Sequence, residues 1–313
     1  LYASLAASFP DEMVDLSTNT LDGNLIVVSV YSDNNPGELY LFDRKAGKAR
    51  FLMQGRRWLD KKAMASVTPF VFNSKDGTKV YAYLTIPHGS DGKNLPQIVN
   101  PHGGPISPRD SWGFNAETQL FASRGYASLQ VNFRGSGGYG KGFQDAGHRQ
   151  WGEAIQDDII AATHWVIEHG YADRDRICIY GGSFGGYSAL MAPIRAPGLF
   201  KCAFGYVGVY DLAMLYERGD IPETASGKRY LRRTIGTDKA VLARNSPTER
   251  ADEVKIPVYL AAGARDRRAV PEQTEAMNKA LIAAGNKLLA NYALVHHYTR
   301  GYKKNKDKTG KNQ

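Results

Sequence analysis

A chain of 313 residues with 42% hydrophobic and 23% charged residues can hold one large domain or two smaller ones, and its composition is ordinary for a globular protein. No long apolar run is present to span a membrane, and no H-E-x-x-H or C-x-x-C spacing points to a metal. The net charge of +9 does not mark a nucleic-acid binder. Between Asn286 and Gln313 seven Lys/Arg face one Asp, so +6 of the charge lies in the last 28 residues and only +3 on the other 285.

The opening "LYASLAASFPDEMVDL" lacks the basic start and sustained apolar stretch of a secretory signal. Residues 24 to 54 read as three short strands, "NLIVVSVYS", "ELYLFDR" and "ARFLMQ", separated by the turn clusters "DNNPG" and "KAGK". They make most of one antiparallel sheet of four strands or fewer. Such a sheet is marginal by itself and should pack on something larger. From about Ser66 the rhythm changes. "TPFVFNSKDGTKVYAYLTIP" is a hairpin about Asp76-Gly77, and strands and helices then alternate. "QIVN", "ASLQVNF", "RICIYG", "CAFGYVGV" and "PVYLAAG" are strands, with "NYALV" as a candidate last one. "ETQLFASRG", the stretch from about Gly152 to His169, "GGYSALMAPIRA" and "PEQTEAMNKALIAAG" are helices. Alternation with near-continuous apolar strands predicts an α/β fold, a mostly parallel sheet covered on both faces. Cys178 and Cys202 both fall in apolar strands and read as small buried hydrophobes, with a modest chance of meeting, rather than as a disulfide framework.

One short stretch carries chemistry. Gly181-Gly182-Ser183-Phe184-Gly185 fits G-x-S-x-G between a strand and a helix. That is the nucleophile elbow, in which a strained serine stands above a sheet edge beside a helix N-terminus. A serine needs a base, and the base needs an orienting carboxylate. In this fold they follow in the order Ser, Asp/Glu, His. Asp266 comes directly after the strand "PVYLAAG", and only His296 and His297 follow it; His297 is the preferred base and His296 the alternate. His88, His102, His148, His164 and His169 precede the serine and fit loop and helix-face positions rather than a base. The oxyanion calls for two N–H donors, one from Phe184 and one from a glycine-rich loop after an earlier strand. "NPHGGP", residues 100 to 105, is such a loop, with Gly104 the expected donor and Gly103 the fallback. "GSGGYG", residues 135 to 140, matches a dinucleotide loop letter for letter. However, no helix opens on it and "KGFQDAGHRQ" reads as a loop, while Asp157 and Asp158, the nearest acidic pair, fall inside a helix. No cofactor and no metal are expected.

With these pieces in order the chain resembles the prolyl oligopeptidase family of serine peptidases, above all its acylaminoacyl-peptidase and dipeptidyl-aminopeptidase-like branch. The segments that carry the likeness are "HGGP", "NFRGSGGYG", "DDIIAATHWVIEHGYADRDRICIYGGSFGGYSAL", "NSPTERADEVKIPVYLAAGARDRRAVPEQ" and "YLFDRKAGK". The resemblance implies an α/β-hydrolase domain, residues 59 to 313, preceded over residues 1 to 58 by the last blade of a β-propeller. It assigns Ser183 as nucleophile, Asp266 as orienting acid, and Gly104 and Phe184 as oxyanion donors. The implied activity is hydrolysis of short peptides or acyl-peptides through an acyl-enzyme, without nucleic-acid or membrane partners and compatible with a homo-oligomer. A carboxylesterase of the same fold, or an inactive fragment, is the alternative. With one blade in place of a propeller, the chain should be less size-selective than a complete relative. From about 286 the tail departs from the family pattern: no glycine follows the histidines and no apolar helix ends the chain, which should leave apolar sheet surface uncovered. The expected compartment is the cytoplasm, with the periplasm or secretion as the alternative.

Overall fold

In the computed structural model, which describes residues 1–286 and the backbone of 292–295, two sheets follow one another along the chain. The first begins after α1 (Tyr2–Ser8). It is antiparallel, with β1 (Met13–Asn19), β2 (Leu25–Tyr31), β3 (Glu38–Asp43) and β4 (Lys48–Gln54) side by side in chain order. The three apolar runs supply β2 to β4. The fourth strand, β1, buries only Val14, so no alternation announces it in the sequence. This sheet has a small core of its own, in which Leu5, Val14, Ile26, Val28 and Val30 meet Phe9, Tyr40 and Phe42.

The second sheet is larger. Its strands are β5 (Ser66–Asn73), β6 (Lys79–Ile86), β7 (Leu95–Val99), β8 (Ala127–Asn132), β9 (Ala172–Gly182), β10 (Cys202–Tyr206), β11 (Val258–Gly263) and β12 (Tyr292–Val295). They lie in the order β12-β11-β10-β9-β7-β8-β6-β5. β5 and β6 form the antiparallel hairpin about Asp76-Gly77, β6 pairs antiparallel with β8, and every other neighbour is parallel. Parallel strands need crossovers. These run through α2 (Ala116–Ala122), α3 (Lys141–Asp145) with α4 (Ala154–Glu168), α5 (Phe184–Arg195), α6 (Ala225–Thr234) with α7 (Lys239–Arg244), and α8 (Pro271–Ala283). The result is an α/β-hydrolase fold preceded by a four-stranded blade-like sheet.

Burial follows the pleat. On β9, Ile177 and Ile179 are fully buried with Ile155, Ile159 and Leu190, whereas Cys178 and Tyr180 point the other way and are half-buried. Tyr180, Phe204 and Tyr259 stack across three neighbouring strands on that second face, with centroids 5.1 and 4.9 Å apart.

The structure corrects two readings. Cys178 and Cys202 are not independent buried hydrophobes: they sit directly opposite each other in the β9–β10 register, Cα atoms 4.7 Å apart, and form a disulfide. Spacing along the chain hides such a pairing because it is set by strand register. The stretch after "GSGGYG" is also not all loop, since α3 occupies Lys141–Asp145. A five-residue helix is too short to show a period.

Candidate active site

Ser183 leaves the end of β9 and caps the start of α5. Its backbone is held at φ 56°, ψ −118°, a region that costs a non-glycine residue roughly 1–3 kcal/mol. Tyr206 O accepts from Ser183 N at 2.9 Å, and Ser183 O accepts from Tyr187 N at 3.1 Å, so the turn is fastened to both β10 and α5. The glycines around it are a packing requirement. A Cβ on Gly181 would lie 2.5 Å from the carbonyl carbon of Gly185, and one on Gly185 would strike the carbonyl oxygen of Pro101. One on Gly186 would come within 2.9 Å of Gly208 Cα. Gly182 has more room, its nearest neighbour being Tyr206 Cδ1 at 3.6 Å. The N–H groups of Phe184, Gly185 and Gly186 form the first turn of α5 and have no partner within the helix.

The second wall is the loop after β7. Asn100 N donates to Leu129 O at 2.8 Å, and the chain then runs past the serine. A Cβ on Gly103 would touch Ser183 Cβ and Gly182 O at 3.4 Å, so this glycine lets bare backbone pass Ser183. Gly104, at φ 134°, precedes a cis bond to Pro105. Gly104, Ser183 and Phe184 together open onto a cavity of about 190 Å³ whose other walls are Trp151, Val209, Leu215, Ile221, Tyr230 and Leu231, with Arg268 beside them. Arg268 is held by Asp220 at 2.6 and 2.9 Å. A second, polar cavity of about 380 Å³ reaches Ser183 from the other side, past Asn100, Asp110, Glu117, Gln130 and Tyr180. Burial there pushes the Asp110 carboxyl up to about 7, against the hydrogen bond from Gln130 and with help from the charge of Glu117.

Asp266 lies in the turn after β11, where its N–H donates to Gly263 O at 3.1 Å. Its Oδ1 accepts from the N–H groups of Arg268 and Ala269 at 2.7 and 3.0 Å, which fixes the carboxylate; among the described residues no donor reaches Oδ2. In sheet register Gly182 lies beside Tyr206, Tyr206 beside Ala261, and Gly263 beside Val295. Ser183, Asp266 and the last residue of β12, Val295, therefore all lie at the same edge of the sheet. His296 and His297, the candidate bases, lie outside the described residues.

The sequence model of the prolyl oligopeptidase family matches residues 112–309. The chain belongs to that family. Among curated relatives in this family, the dipeptidyl aminopeptidase BIII of Pseudoxanthomonas mexicana is 35% identical over 282 residues, covering 86% of this chain and 41% of that protein. Dipeptidyl peptidase family member 6 of Caenorhabditis elegans is 31% identical over 300 residues, covering 87% and 40%. Of solved structures, the Pyrococcus horikoshii acylaminoacyl peptidase superposes with a TM-score of 0.77 at 26% identity, covering 92% of this chain and 45% of that one. A puromycin-hydrolyzing peptidase of Mycobacterium tuberculosis gives 0.75 at 29%, covering 87% and 41%. The chain thus spans about two fifths of the length of the curated relatives it matches.

Within this prolyl oligopeptidase framework the structure brings Ser183, Phe184 and Gly104 to one cavity and Asp266 to the same sheet edge. Sequence reasoning missed the apolar wall. Leu215, Ile221, Tyr230 and Leu231 come from the stretch between β10 and β11, where short helical turns alternate with loop and no period gathers the apolar residues. Trp151 stands just before α4, and its contacts with Phe184 and Tyr187, at 5.0 and 5.8 Å, are visible only in three dimensions.

Proposed function

We propose that this chain carries the catalytic site of a serine peptidase that cleaves short peptides through an acyl-enzyme at Ser183. One observation carries the reading. A strained serine stands at the open N-terminus of α5, against the glycine loop at Gly103–Gly104, and opens directly onto an apolar cavity. The strain exposes the hydroxyl, Phe184 N and Gly104 N serve as donors to the carbonyl oxygen as it gains charge, and Asp266 orients the base. His297 serves as that base with His296 as alternate, since both follow β12 in the chain order the mechanism requires. The cavity takes an apolar side chain on the acyl side of the scissile bond. The names of the relatives support dipeptidyl or acylaminoacyl substrates.

In this reading the peptidase domain starts near residue 59, and the separate small core of residues 1 to 58 is a propeller-type blade. No nucleic-acid or membrane partner is part of the reading. Among the described residues no helix is long and apolar enough to cross a membrane. The Cys178–Cys202 disulfide favours the periplasmic or secreted alternative over the cytoplasm.

Turnover of dipeptidyl- and acylaminoacyl-p-nitroanilides tests the reading. Ser183→Ala should lower kcat by several orders of magnitude with little change in folding. Hydrolysis of p-nitrophenyl esters alone would point instead to a carboxylesterase, and wild-type activity equal to that of Ser183→Ala would end the proposal.

A further inference from the structure

The segment Phe133–Gly140, whose glycine spacing imitates a dinucleotide loop, has a place in the structure that the catalytic reading leaves unused. It begins at a fixed point. The Arg134 guanidinium bonds Asp158 of α4 at 2.9 and 2.7 Å and Asp76 of the β5–β6 turn at 2.7 and 3.1 Å, and its backbone N–H also reaches Asp158 at 2.9 Å. From there the chain turns through Gly135, at φ 105°, and meets the oxyanion loop. Ser107 N donates to Gly135 O at 3.0 Å, and Gly137 N donates to Ser107 O at 3.1 Å. A Cβ on Gly137 would collide with that Ser107 oxygen, so the glycine is needed for this contact rather than for a phosphate.

The decisive contact involves His102. Its ring stacks on Phe133, centroids 4.3 Å apart, with Nδ1 at 2.7 Å from Gly103 O and Nε2 at 2.8 Å from Ser136 Oγ. A carbonyl oxygen can only accept, so Nδ1 carries the hydrogen; Nε2 then accepts from the Ser136 hydroxyl, which is fully buried. Gly103 C=O and Gly104 N–H belong to one planar trans peptide and point in opposite directions. Whatever fixes the Gly103 carbonyl therefore fixes the direction of the Gly104 N–H.

We propose that Ser136 and His102 form a latch that orients the Gly103–Gly104 peptide, and with it the Gly104 donor, toward the substrate carbonyl. Both are positioning residues: neither touches the reacting atoms. Burial holds the imidazole down at about 4, so the latch stays in one protonation state across the neutral range. The proposal rests on the reading of Ser183 and Gly104 given above and adds to it a route from α4, through Arg134 and Ser136, to the oxyanion site.

Two measurements test it. Nitrogen-15 NMR of histidine-labelled wild-type protein should show His102 as the Nδ1–H tautomer without titration between pH 5.5 and 8, an interval chosen around the ordinary histidine value of about 6.5. In kinetics, Ser136→Ala and His102→Leu should lower kcat and the rate of fluorophosphonate labelling about tenfold or more, short of the 10²–10³ of a lost oxyanion donor, with KM little changed. His102→Asn, whose amide can stand where Nδ1–H stood, should recover most of the loss. An Nε2–H tautomer, titration near 6.5, or variants labelled at the wild-type rate would each overturn the latch. A wild type that shows the Nδ1–H tautomer but is not labelled at Ser183 would support the latch geometry and count against the peptidase reading instead.

Discussion

The turn at Ser183 and the loop Asn100–Pro105 meet as backbone against backbone, while the cavity beside them is walled by side chains drawn from positions 151 to 231. On the first side the tolerances are those of single atoms. Gly181 lies against Gly185, Gly185 against Pro101 and Gly103 against Ser183, with no space for a methyl group at Gly181 or Gly185. On the second side, Val209, Leu215, Ile221, Tyr230 and Leu231 line space that can be refilled by substitution. Backbone walls fix where the chemistry happens and leave little to vary. Side-chain walls set which substrate fits, at modest energetic cost per change.

Several experiments would break or sharpen that contrast. The largest effect is expected at the base, since the backbone side can do little without one: His297→Ala, or His296→Ala if the alternate serves, should cost several orders of magnitude in turnover. The wild type should lose turnover on acidification, as the base takes up a proton, and show that loss as an acid limb in its pH–rate profile. If both alanine variants keep turnover within about tenfold of wild type, the triad is not completed from this tail.

Next comes Gly185→Ala. Its Cβ meets a carbonyl oxygen that cannot rotate away, so the elbow must shift; a loss of about 10²–10³ in kcat is expected, comparable to losing an oxyanion donor. Activity near wild type would show that the backbone wall is softer than its packing implies. On the side-chain wall, Val209→Phe should fill the cavity. It should lower kcat/KM for substrates with a large apolar acyl-side residue by about 10–200-fold while sparing glycine and alanine. A uniform loss across substrates would place the side-chain pocket elsewhere.

The smallest effect on activity is expected from opening the disulfide. Cys178→Ser with Cys202→Ser should leave kcat within about twofold, because the bridge lies upstream of the elbow on β9 and touches no wall of the site. For a separation of 24 residues it should lower stability by about 3 kcal/mol, measured by denaturant unfolding without reductant. Equal stability of the variant and the oxidised wild type would show that the bridge does not constrain the chain.

The same contrast explains what was legible in the sequence. Elements whose cause is local were readable: the elbow glycines around Ser183, the loop Asn100–Pro105, the hairpin at Asp76-Gly77 and the strand–helix alternation. Features that depend on register or on packing between distant segments were not. The Cys178–Cys202 pair needs β9 and β10 aligned, β1 has one buried side chain to signal it, and the cavity wall is scattered over short turns. His102 was legible only as a residue that is not the base. Its contacts with Ser136, 34 positions away, depend on how two loops cross.

The central claim is that Ser183 is an activated nucleophile, and covalent mapping tests it most directly. After treatment with a fluorophosphonate, digestion and mass spectrometry, the account predicts one adduct, on Ser183, formed in the wild type and absent from Ser183→Ala. Equal labelling of the two proteins, or a wild type in which Ser183 remains unmodified while peptides are hydrolysed, would contradict it.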